Sequence, residues 1–120
     1  MRCICLIDDD FKALKKGIPS IEKDVNVRFI ADSNKFNEFG AVDGFLQNVR
    51  GYTVHKHRLV TTQPRFVGKR GPRLWVLINK EKDVYIQCLL YPVESDPQYS
   101  KDTCYKIIHA RLDAWEKAQS

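Results

Sequence analysis

The side chains best suited to hold an anion and move a proton are crowded into residues 50–73. Arg50, Lys56, Arg58, Arg65, Lys69, Arg70 and Arg73 fall there without one Asp or Glu, and His55 and His57 alternate with Lys56 and Arg58. The stretches on either side each carry one more acid than base, so the whole net charge of +5 arises here. A field of one sign over so short a segment attracts a polyanion; a solvated basic loop is the bland alternative. The residue types also divide chemical labour. Imidazole, with a pKa near 6.5, suits proton transfer. A lysine among other cations gives up its proton more readily. Arginine stays charged and pairs with phosphate oxygens. Such a set is competent for metal-free RNA cleavage, in which the ribose 2′-hydroxyl attacks phosphorus and leaves a cyclic phosphate. That reaction needs a base for the hydroxyl, cations for the phosphorane and an acid for the leaving 5′-oxygen.

Other chemistries are less well served. His55 and His57 have a metal-ligand spacing, but nothing supplies an obvious third and fourth ligand. The cysteines Cys3, Cys5, Cys88 and Cys104 form no CxxC pair and read as small apolar thiols in a reducing compartment. Phosphate-binding loops, dinucleotide fingerprints and nucleophile elbows are absent. Asp8-Asp9-Asp10 fits helix capping better than paired-carboxylate hydrolysis, and His109 reads as structural. We expect no metal and no cofactor.

The elements that must position the basic cluster belong to one small domain. The chain has 120 residues, 43% hydrophobic and 29% charged, an ordinary globular balance. No apolar run reaches the ~18 residues of a membrane span. Met1–Ile7 is too short for a signal peptide and runs into three aspartates, so the expected location is the cytoplasm. Residues 2–7 read as a short strand. Asp10 is a candidate N-cap, followed by Phe11, Leu14 and Ile18 at helical spacing. Gly17 and Pro19 stop that helix. Ser20 can cap a second one carrying Ile21, Val25 and Phe29. Residues 32–52 are the least legible and read as an ordered loop with a short helix near Val42–Val49. Strands are expected at Thr53–Thr61, Pro72–Asn79 and Val84–Tyr91, the last two joined by a polar turn. Ser100 can cap a final helix with Tyr105, Ile108, Leu112 and Trp115 as its apolar stripe. The order β-α-α-β-β-β-α implies an α+β fold, a helical hairpin on a small antiparallel sheet.

Alternation along the strands places Leu74, Val76 and Ile78, and Val84, Ile86, Cys88 and Leu90, on the helix-covered face. Arg73, Trp75, Tyr85 and Tyr91 then share the opposite face. Left open, it suits RNA, because bases stack on aromatics and phosphates pair with arginine; alternatively these rings lie under the C-terminal helix. In the first strand, Lys56 and Arg58 share one face and His55 and His57 the other, and a one-residue slip exchanges them.

Phe11–Lys16, Pro19–Val25, Lys56-His57-Arg58, Gly68-Lys69-Arg70-Gly71, Arg73, the strand end at Tyr91 and the Glu94-Ser95-Asp96 segment recur in a familiar order. Over roughly residues 8–110 the chain resembles the RelE-like toxins of type II toxin–antitoxin systems, within the RelE/ParE superfamily. The resemblance implies a single RelE-like domain over residues 1–120. It implies a metal-independent endoribonuclease that cleaves messenger RNA, with RNA, the ribosome and a cognate antitoxin as partners. The ParE-like branch implies a non-catalytic alternative: a gyrase inhibitor, or a module that only binds RNA or protein. The family's strand cations correspond to Lys56 and Arg58, its arginine after the glycine-rich turn to Arg73, and a tyrosine near the last helix to Tyr99. The chain departs from the pattern at Pro72, where a second glycine is common. It also has Pro92 and Val93 where a cation usually follows the last strand. On these combined grounds Arg73 holds the phosphate, Lys56 or His57 is the base, and Tyr99 or His55 the acid. Arg58, Lys69, Arg70 and Arg65 bind flanking RNA, and Trp75 stacks a base.

Overall fold

The computed structural model describes residues 1–120. It is an α+β fold in which a five-stranded sheet lies between helices on both faces. The elements are β1 (Arg2–Cys5), α1 (Asp8–Lys15), α2 (Ile21–Phe39), β2 (Phe45–Val49), β3 (Tyr52–Arg58), β4 (Thr61–Thr62), β5 (Arg65–Phe66), β6 (Arg73–Asn79), β7 (Val84–Tyr91) and α3 (Lys101–Gln119). Single 3-10 turns cover Gly68–Arg70 and Val93–Gln98. Strand order is β1-β7-β6-β3-β2, and β4 and β5 form a separate two-stranded ribbon. The sheet is mixed rather than antiparallel, because β1 runs parallel to β7.

Local signals explain most boundaries. Three aspartates occupy the first turn of α1, where carboxylates oppose the positive end of the helix dipole. The helix starts at Asp8, so Asp10 is not its cap. Its carboxylate instead accepts from the Leu90 N–H (3.0 Å) and from both terminal nitrogens of Arg111 (2.7 and 3.0 Å), tying α1 and α3 to β7. Ser20 likewise makes no capping bond; its hydroxyl donates to Asp24 (2.6 Å) and accepts from the Gln63 N–H (2.9 Å). Helix α2 extends ten residues beyond Phe29, to a left-handed Gly40 whose N–H bonds to the Phe36 carbonyl. Ser100 does cap α3, accepting from the Thr103 N–H.

Of the two arrangements that alternation allows for the second sheet face, the structure has the covered one: Trp75 and Tyr91 lie under α3, while Tyr85 is on the other face. Leu74, Val76, Ile78, Tyr85 and Leu90 pack under α1 and α2 with Phe11, Leu14, Ile21 and Val25. Trp75, Leu77, Ile86, Cys88, Leu89 and Tyr91 pack under α3 with Cys104, Ile108 and Leu112. Simple alternation fails in β7 because a bulge lies opposite Trp75 and Val76, which pair with Leu89 and Gln87. Cys88 and Leu89 therefore share the α3 side. Every residue of β6 and β7 is buried, as expected of central strands covered on both faces. The segment read as a short helix near Val42–Val49 is instead the edge strand β2. Its partner β3 supplies the pairing that decides the conformation of a run without clear helical period.

Candidate functional site

One end of the sheet gathers the strand cations. Arg58, Arg73 and Tyr91 stand in register across β3, β6 and β7, with Lys56 two residues before Arg58 on the same face. Lys56, Arg58, Arg73, Gly44, Leu46 and Asp96 line a cleft of about 300 Å³ there. Two glycines make this geometry possible. At Gly44 (φ +78) a Cβ would lie 2.4 Å from the Lys56 carbonyl oxygen, and at Gly71 it would lie 2.0 Å from that of Leu59. Only backbone without a side chain can approach so closely.

Each cation is held differently. Arg73, only 6% exposed, donates to the carbonyls of Gly71 (2.6 Å) and Lys69 (3.2 Å), so it anchors the basic turn as well as facing the cleft. The Lys56 ammonium lies 5.6 Å from the centre of the Trp75 ring. Asp96 sits between them, 3.9 Å from Lys56 Nζ and 3.6 Å from Arg73 Nη2. The Trp75 indole donates to the Tyr91 hydroxyl (3.4 Å), which donates to Asp96 Oδ1 (3.2 Å). Burial, chiefly, pushes the Tyr91 phenol above its ordinary pKa, so it stays a donor. The segment after β7 thus brings a carboxylate to the cleft.

The structure divides the expected site residues into two groups. Lys56, Arg58 and Arg73 converge. Tyr99 lies one layer behind, its ring stacked on Tyr91 with centroids 4.1 Å apart and planes 2° apart. Lys69 and Arg70 stand on the neighbouring turn and Arg65 on β5; none of these three, nor Arg58, has an ion-pair partner within the chain. Arg50 is spent on Asp113 and Glu116 of α3. Trp75, 2% exposed under α3 with its ring edge-on to Tyr105 at 5.6 Å, is closed to a stacking base.

The two histidines face the other way. His57 Nε2 lies 2.9 Å from Oδ2 of Asp32, a fully buried α2 residue that also accepts from the Tyr85 hydroxyl (2.6 Å) and Arg28 (2.6 and 3.0 Å). Burial alone would raise the Asp32 carboxyl, but His57, Tyr85 and Arg28 outweigh it and hold the group below its usual range. His55 Nδ1 lies 3.0 Å from the Asp43 carbonyl, which can only accept, so that nitrogen carries the proton. Burial lowers the His55 pKa and keeps Nε2 bare, where Thr53 donates to it at 2.9 Å. Both imidazoles therefore fix structure on the hairpin side, and neither reaches the cleft. Nothing in the local pattern marks Asp32 as the partner of His57, and Asp96 shows only as part of the acidic segment after β7.

No cluster of three or more His, Cys, Asp or Glu side chains is placed to hold a metal. No helix is long and apolar enough to cross a membrane. No protein-family model, curated protein or solved structure matches this chain.

Proposed function

We propose that the protein is a RelE-like toxin whose cationic cleft binds and cuts RNA without a metal ion. The observation that carries this reading is the convergence of Lys56, Arg58 and Arg73 with one carboxylate, Asp96, around a cleft that admits a phosphodiester. Arg58 and the unengaged N–H groups of Arg73 hold the non-bridging oxygens and stabilise the phosphorane. Asp96 accepts the 2′-hydroxyl proton as that oxygen bonds to phosphorus. Lys56, expected from the sequence as the base, takes the acid's role because the carboxylate beside it is the better base, and it gives a proton to the 5′-oxygen as the P–O5′ bond breaks. The Asp96–Lys56 contact then returns the proton and resets the pair. Lys69, Arg70 and Arg65 extend the positive surface along the strand of RNA.

A second reading is favoured by the same carboxylate. Asp96 satisfies Lys56 and Arg73 in the absence of phosphate, which suits a non-catalytic binding module of the same shape. Asp96→Asn separates the two. In the nuclease reading it abolishes cleavage while RNA still binds. In the binding reading there is no cleavage to lose, and RNA affinity rises. The main test is induced expression of wild type, Lys56→Met and Arg58→Ala. These positions are preferable to Arg73, whose removal would loosen the Gly68–Gly71 turn. Growth arrest by wild type but not by Lys56→Met supports the proposal; arrest by all three overturns the site.

A further inference from the structure

We propose that the groove on the opposite face of β2 and β3 receives a nucleobase of the RNA whose phosphate lies in the cleft; this rests on the reading given above. The groove has a volume of about 500 Å³ and is walled by Phe36, Phe45, Thr53, His55, Asn79 and Lys80. That size is typical of a small-molecule site. Phe45 borders both it and the cleft, so the two are adjoining sites on either side of the start of β2. Because β2 is an edge strand, a nucleic-acid strand can pass round it from one to the other.

The lining chemistry selects a flat heteroaromatic ligand. Phe45 is 53% exposed and meets the His55 ring at 5.9 Å and 64°. The imidazole is held at both nitrogens, so it supports Phe45 as a fixed wall. Stacking on such a ring is the usual way proteins grip an unpaired base. Asn79 adds direction. It is only 8% exposed, and its carbonyl oxygen accepts from the Lys82 N–H at 2.9 Å, while its NH₂ makes no bond within the chain. A Cβ at Gly51 would lie 3.7 Å from that nitrogen, so the glycine (φ +86) leaves the approach open. A donor fixed in this way, with Lys80 and Glu81 of the adjoining turn also lining the groove, matches the ring nitrogens and carbonyl oxygens of a base. An aliphatic occupant would leave it unpaired. The aromatic platform expected of Trp75 is thus supplied by Phe45, on the other side of the sheet.

The test is a binding cycle with full-length protein and a short fluorescent 2′-O-methyl RNA, which cannot be cut, together with the same RNA made abasic at each position in turn. We expect Phe45→Ala to weaken binding of the intact RNA about tenfold, and Phe45→Tyr to restore it. One abasic position should weaken wild type by a similar factor and leave Phe45→Ala unchanged. Circular dichroism melting, which a change at this exposed ring should barely alter, confirms that the variants fold. Equal binding by wild type and Phe45→Ala overturns the base site while leaving the cleft intact, and turns attention to a peptide partner for the groove. Failure of wild type to bind any RNA overturns the base site and the cleft reading together.

Discussion

Tyr85→Phe isolates the buried carboxylate network that turns His57 away from the cleft. The substitution removes one hydroxyl and keeps the ring, so no cavity confuses the result. The lost bond is a 2.6 Å contact to Asp32, which is 0% exposed. A hydrogen bond to a charged group contributes about 1.5–3 kcal/mol. An unfolding entropy of ~2.1 cal/mol/K per residue gives this 120-residue chain about 0.25 kcal/mol/K, so Tm should fall by about 6–12 °C. Differential scanning calorimetry at pH 7 reads that shift directly. RNA affinity measured at 20 °C, with the variant still folded, should match wild type, because the network lies on the hairpin side of the sheet. A Tm change below about 2 °C would refute the argument that the Tyr85 hydroxyl is one of the donors that offset the burial of Asp32. A stable variant with tenfold weaker RNA binding would place this network, and His57 with it, in the functional site after all.

Other expectations can be checked independently. Because Asp32 is held below its unfolded value, the folded state binds fewer protons, and its contribution is complete above about pH 4 and lost as pH falls through the depressed value. Asp32→Asn should therefore show a flatter stability profile than wild type below about pH 4 in urea titrations; parallel profiles would contradict this. Arg58→Ala should reduce the slope of log affinity against log salt by ~0.7 on single-stranded RNA, one phosphate contact's worth, and an unchanged slope would remove Arg58 from the interface. Gly44→Ala meets both the Lys56 carbonyl and a left-handed backbone, so denaturant melts should show a loss above ~2 kcal/mol. Burial and the neighbouring Cys5 push the Cys3 thiol up to about 11, so despite its exposure its alkylation rate should rise about tenfold per pH unit across pH 7–9; a rate already flat by pH 8 would contradict this.

Local rules carried the sequence reading a long way. Periodicity located α1, α3, β6 and β7, and Ser100 marked its helix. The failures share a physical origin in pairing partners that lie far apart in the chain. Asp10 and Ser20 are good caps in isolation, but Leu90, Arg111 and Gln63 offer their side chains better use. The bulge at Cys88–Leu89 has no local signature, so strict alternation put Val84, Ile86 and Cys88 on the wrong face. Phe45–Val49 lacks a strong period of its own and becomes a strand because β3 pairs with it. For the site, the density of charge at residues 50–73 marks a basic stretch but does not separate Lys56, Arg58 and Arg73, which share one cleft, from Arg50, which pairs with Asp113 and Glu116. It could not say which side of β3 the histidines occupy, since either register leaves two polar groups on each face. The buried Asp32 on α2 settles that choice by drawing His57 inward.

The most direct test of the cleft is to map the chemistry of RNA ends in cells after brief induction, ribosomes included. Wild type should produce new, position-specific 5′-hydroxyl ends in messenger RNA, paired with 2′,3′-cyclic phosphates, and Lys56→Met should produce none while remaining folded. Intact messenger RNA in both strains, or new ends that persist in Lys56→Met, would contradict the assignment of Lys56, Arg58, Arg73 and Asp96 as an RNA-cleaving site.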